Sequence, residues 1–129
     1  MIREVLKKYA TPFVVLFLLM ACNRVVPVKD IEREPITPAA TSMDTVQKAI
    51  LKAGAAQGWQ MKQVGPGKIE GTLFLRTHKA VVDIAYDTKT FSIKYKDSSE
   101  LKYDGTNIHQ NYNSWVENLA KQIRVNLVQ

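Results

Sequence analysis

Residues 59–96 read WQMKQVGPGKIEGTLFLRTHKAVVDIAYDTKTFSIKYK, and their alternation decides the fold. Apolar and polar side chains change places at every second residue, the period of a strand with one buried face. The alternation breaks at Gly65-Pro66-Gly67, at His78-Lys79 and at Asp87-Thr88-Lys89-Thr90, where turn-forming residues gather. The reading is four short strands joined by three tight turns.

The turns can be checked against one another, because a slip of one residue sends every apolar side chain to the wrong face. A two-residue turn at His78-Lys79 sets Leu75 opposite Val82 and Leu73 opposite Ile84. A tip at Thr88-Lys89 sets Tyr86 opposite Phe91, Ile84 opposite Ile93 and Val82 opposite Tyr95. A turn at Gly65-Pro66-Gly67 sets Trp59 opposite Leu73 and Met61 opposite Gly71. All three keep the same face apolar, which predicts an antiparallel meander in chain order.

Helical periodicity flanks this sheet on both sides. Before it, Met43, Val46, Ala49, Ile50 and Ala53 share one stripe, Thr41 or Ser42 can cap, and Gly58 is a C-terminal stop, so a helix is expected over 43–57. After it, residues 97–110 read as a polar loop. Asn111 or Asn113 can then cap a last helix whose stripe is Tyr112, Val116, Leu119, Ala120, Ile123 and Leu127. The expected fold class is α+β, a four-stranded antiparallel meander with an N-terminal and a C-terminal helix on one face (α-β-β-β-β-α), in a single domain over 42–129.

Further toward the N-terminus, Pro27, Pro35 and Pro38 stand among mixed charges with no sustained period, so residues 22–41 are expected to be a flexible tether. Upstream, Arg3, Lys7 and Lys8 precede the apolar run Phe13–Met20, which ends at Ala21-Cys22. That order is a secretory signal peptide over residues 1–21, and its apolar run is well short of the roughly 20 residues that span a bilayer. Cys22 is the only cysteine, so an exported chain has no internal disulfide to place it in. Leu19-Met20-Ala21-Cys22 resembles the lipobox of bacterial lipoproteins. The resemblance implies that Cys22 becomes the acylated N-terminus and anchors the protein to a membrane of the cell envelope. Asn23 after the cysteine, rather than Asp, favours the outer membrane by the same resemblance, facing the periplasm.

The net charge of +6 falls to +4 without the leader, and the basic residues are dispersed, with only Lys94, Lys96 and Lys102 loosely grouped. A nucleic-acid binder shows a denser stripe, so nucleic acid is set aside as a partner. No HxH, HExxH or CxxC spacing supports a metal, no GxSxG supports a nucleophile, and no glycine-rich loop cradles phosphate. Neither a cofactor nor a catalytic residue is assigned, and the protein is read as no enzyme.

The sheet face away from the helices is expected to display Phe74, Arg76, Asp83 and Lys94, with Asp83 across from Lys94 and diagonal to Arg76. A charged trio beside an exposed aromatic suits a contact surface, although cross-strand ion pairs of this kind also serve the sheet alone. The stretch Tyr103–Trp115 adds His109 and Tyr112, a histidine and a stacking ring among amides, which caps and packing explain as well.

The segment from Gly67 to Leu127 resembles a group of small proteobacterial lipoproteins without an assigned activity. The resemblance is carried by Arg76-Thr77-His78, Val82–Tyr86, Phe91–Ser98 and Ile108–Trp115. It implies a single domain and brings no catalytic residue. The expected function is a membrane-anchored, non-enzymatic binding or structural module with an envelope protein or cell-wall partner. The alternative is a small-ligand-binding protein or enzyme centred on His78, His109 and Tyr112.

Overall fold

The computed structural model describes residues 24–129. The leader, Cys22 and Asn23 lie outside the described residues. The elements run β1 (Val25–Pro27), β2 (Ile31–Pro35), α1 (Met43–Ala56), β3 (Gln60–Gly65), β4 (Lys68–Leu75), β5 (His78–Tyr86), β6 (Thr90–Ser99), β7 (Asn107–His109) and α2 (Gln110–Leu127). The fold is α+β. A five-stranded antiparallel sheet in the order β2-β6-β5-β4-β3 carries both helices, and β1 pairs with β7 in a small second sheet.

Alternation builds the sheet as the sequence implies. Ile69, Leu73, Val82, Ile84, Phe91 and Ile93 are buried on one side, against Val46, Ile50 and Ala53 of α1 and Tyr112, Val116, Leu119 and Ile123 of α2. Each such side chain contributes roughly 1.5–3 kcal/mol on leaving water. Ser42 caps α1, its hydroxyl accepting from the Thr45 N–H at 3.2 Å. Gly58 ends that helix at φ +84°, a left-handed conformation that costs glycine nothing. Gly54 lets α1 close on β3, since a Cβ there would run into Met61.

Three expectations are corrected. The tether over 22–41 does not survive for the residues described, because β2 pairs with β6 (Ile31 with Ile93, Pro35 with Thr90) and Ile31 and Ile36 are buried. The backbone of the segment is tied down as well. Val28 N–H donates to Thr106 O at 3.0 Å, Ile36 N–H to Lys89 O at 2.8 Å and Ala40 N–H to Thr88 O at 2.9 Å. The meander β3-β4-β5-β6 therefore gains a fifth strand, and two of the three prolines that suggested a linker, Pro27 and Pro35, sit at strand ends, where a missing N–H costs little.

The β4–β5 turn lies at Arg76-Thr77, not at His78-Lys79, which sets Leu75 against His78, Leu73 against Ala80 and Ile69 against Ile84. Arg76 supplies the left-handed position at φ +57°. The difference is an even number of residues, so the buried face is unchanged and alternation alone could not detect it. The other two hairpins keep the expected pairs, Met61 with Gly71, Tyr86 with Phe91, Ile84 with Ile93 and Val82 with Tyr95.

The polar loop over 97–110 is also more ordered than its composition suggests. β6 runs to Ser99, Leu101 is buried, and β7 leads straight into α2. His109 caps that helix through Nδ1, which accepts from the Asn111 N–H at 3.1 Å. Asn113 instead faces the N-terminal segment. Its Oδ1 accepts from the Lys29 N–H at 3.0 Å and its Nδ2 donates to Pro27 O at 2.9 Å.

Candidate functional site

The side of the sheet away from the helices carries a charge lattice set by register. Asp83 on β5 stands between Glu70 on β4 and Lys94 on β6. A bulge between Val81 and Val82 leaves Lys96 as an extra residue on β6, and its ammonium reaches Glu70 at 2.6 Å and Asp83 at 3.7 Å. Hydrogen bonding and charge from Lys96 hold the Glu70 carboxyl below its ordinary range, and Glu70 in turn raises Lys96. Lys94 lies 3.9 Å from Glu32 on β2. The cation that joins Asp83 is therefore Lys96. Arg76 sits in the β4–β5 turn, a strand length from the diagonal position expected for it.

Along this face toward the β3–β4 turn, Val64, Lys68, Asp83, Ala85, Ser92 and Lys94 surround a concavity of about 360 Å³. Exposed Val64 forms its apolar wall. Phe74 is exposed at the other end of the face, opposite Lys79. The surface expected to unite Phe74, Arg76, Asp83 and Lys94 thus divides in two, with Phe74 and Arg76 beside one turn and Asp83 and Lys94 beside the concavity.

The second candidate, His78, His109 and Tyr112, does not assemble into a site. His78 Nδ1 lies 2.8 Å from Glu100 O, which fastens the 100–103 loop to the start of β5. His109 is committed to capping. Tyr112 is fully buried, so its ring offers no stacking platform, and its hydroxyl has no protein hydrogen-bond partner. Burial, with Asp30 nearby, pushes its phenol well above the ordinary tyrosine range.

Tyr112 closes a row of aromatics that sequence reading missed. Its ring meets Tyr95 edge-on at 5.6 Å, and Tyr95 stacks on exposed Tyr103 at 4.2 Å. Tyr95 and Tyr103 line a second concavity, of about 620 Å³, with Lys96, Asp97, Glu100 and Lys102. Glu100 and Lys102 both adopt left-handed backbone, at φ +60° and +56°, on either side of buried Leu101. No period marks such a loop. The one signal available was the apolar Leu101 inside a polar run.

Among the described residues no group of three His, Cys, Asp or Glu side chains could hold a metal ion. No described helix is long and apolar enough to cross a membrane. Comparison of the chain with protein-family models, with curated proteins and with solved structures returned no match.

Proposed function

We propose that the chain is an acylated lipoprotein of the bacterial envelope, held through Cys22 at the outer membrane and facing the periplasm. Its domain acts there as a non-enzymatic module that binds an envelope protein or cell-wall partner. The observation that carries this reading is the uncovered sheet face, where an exposed valine and two lysines, Lys68 and Lys94, frame a concavity beside Asp83. A binding module needs a few anchors in a shaped surface and no catalytic constellation.

The anchor is read by mass spectrometry of the mature protein, which should begin at a diacylglyceryl-modified Cys22; an unmodified thiol there would discard it. The surface is read with a photo-crosslinking residue at Ser92 in the natural membrane, with Lys48 on α1 as the control position. A specific adduct from 92 that weakens in the Val64→Ser, Lys94→Ala double variant is expected. Equal labelling from 92 and 48, or an adduct indifferent to the double variant, refutes the face as the binding site.

A further inference from the structure

Resting on the acylation of Cys22 just proposed, we infer that the end of the domain bearing the β4–β5 turn, β7 and the 100–103 loop lies against the bilayer, with phospholipid as its partner. The length of chain before the fold carries the argument. Gln110 N–H donates to Arg24 O at 3.1 Å, and Val25 pairs with His109, so the backbone is fixed from Arg24 onward. Only Asn23 stands between Cys22 and Arg24, and the two residue steps span at most about 7 Å. A lipid on Cys22 cannot hold the domain at a distance. It draws in whichever surface surrounds Arg24.

That surface follows from the pairing. His109 N–H donates to Leu101 O at 2.8 Å, the neighbouring Glu100 O binds His78, and His78 pairs with Leu75. Arg24, the 100–103 loop and the β4–β5 turn therefore share one end of the molecule. Four of the eight large exposed apolar side chains described stand there: Val25 (45% exposed), Phe74 (57%), Leu75 (48%) and Tyr103 (41%). The other four are divided among the α1 start, the β3 end and the α2 end. Each apolar residue has a cation beside it in sequence or register, Arg24 next to Val25, Arg76 next to Leu75, Lys79 across from Phe74 and Lys102 next to Tyr103, against the acidic Asp97, Glu100 and Asp104. Aromatic and aliphatic side chains that enter the headgroup layer, ringed by long cations whose stems can snorkel to lipid phosphates, are the makings of an interfacial contact.

The test uses the lipidated protein in phosphatidylethanolamine and phosphatidylglycerol vesicles. With Cys22 acylated, an introduced cysteine is the only thiol for an environment-sensitive fluorophore. Leu75→Cys and Tyr103→Cys mark the proposed contact, and Lys89→Cys marks the β5–β6 turn at the opposite end of the sheet. Headgroup-nitroxide lipids should quench the labels at 75 and 103 at least about twofold more than the label at 89, the depth dependence expected of interfacial residues. Equal quenching at all three positions, or none at 75 and 103, overturns the inference while leaving the anchor intact, provided that mass spectrometry still shows the diacylglyceryl group. Absence of that group overturns the anchor and the contact together. Phe74→Ser with Leu75→Ser should halve the quenching at 103 or more, and an unchanged signal there counts against an apolar contact.

Discussion

Replacing Asn113 with alanine should loosen the N-terminal segment without touching the sheet. The side chain makes two hydrogen bonds to that segment, from the Lys29 N–H and to Pro27 O. Each contributes about 0.5–1.5 kcal/mol net, and because the freed backbone groups can turn to water the loss belongs in the lower half of the sum, about 1–2 kcal/mol. Buried Ile31 and Ile36 stay in place, so the effect is local opening rather than global unfolding. Native-state hydrogen exchange reads it directly. In Asn113→Ala the Lys29 amide should exchange about tenfold faster, the factor that corresponds to about 1.4 kcal/mol, while amides in β4 and β5 keep their rates. Asn113→Asp separates the two bonds, since a carboxylate still accepts from Lys29 but cannot donate to Pro27, and an intermediate rate is expected. A Lys29 amide that exchanges at the free-peptide rate in the unsubstituted protein would refute the docked segment, and with it the constraint on where the domain can sit.

Tyr112→Phe should raise stability, since it deletes a buried hydroxyl without a protein partner and keeps the ring against Tyr95; about 1 kcal/mol is expected in a denaturant titration, and a loss of similar size would show that the hydroxyl is satisfied. The Glu70–Lys96 pair should support the sheet only while both ends are charged. Glu70 is lowered from 4.5, so its contribution is complete above that pH and disappears as pH falls through the folded value. Lys96 is raised from 10.5, so its contribution is complete below that pH and disappears as pH rises through the folded value. A double-mutant cycle with Glu70→Gln and Lys96→Met should therefore give its largest coupling between these limits and shrink on either side. A coupling that is flat across the acid limb would mean the pair is a bystander.

What the sequence revealed depended on period. The β3–β6 meander was legible because β4, β5 and β6 alternate with one face largely buried and the turns between strands keep one apolar face in common, and α1 because its stripe, Ser42 cap and Gly58 stop all agree. β1 and β2 were illegible for the same reason in reverse. They have three and five residues and both end in proline, and β2 also carries charges, features that shield an edge strand from further pairing. The β4–β5 turn was misplaced because Arg76 takes the left-handed position where Asn or Gly is the usual marker. That displacement then scattered the candidate site. Of the open-face residues, Asp83 opposite Lys94 came through, because the Thr88-Lys89 turn that sets their register was read correctly. Tyr112 was a core residue whose helical stripe had already announced its burial.

The docked segment also changes what a partner must do. A free tether of some twenty residues could let the domain reach up to roughly 60 Å from the bilayer, sampling much of the space beneath the membrane. With Arg24 bonded to Gln110 that freedom is gone, and under the proposed acylation of Cys22 the domain would stand where the acyl chains hold it. The concavity beside Ala85 and Ser92 is seven residues along β5 from His78, roughly 23 Å at strand spacing, on the end of the sheet away from Arg24. Arg24 and the concavity thus lie toward opposite ends of the domain, and on the proposed anchor the concavity would point away from the lipid. On the proposed function a partner has to come to that height, and lengthening the link at Asn23 by ten glycine and serine residues should weaken crosslinking from Ser92 even though the concavity itself is untouched. Crosslinking that survives the insertion would mean that the partner is recruited by affinity alone and that the short link serves the lipid contact only.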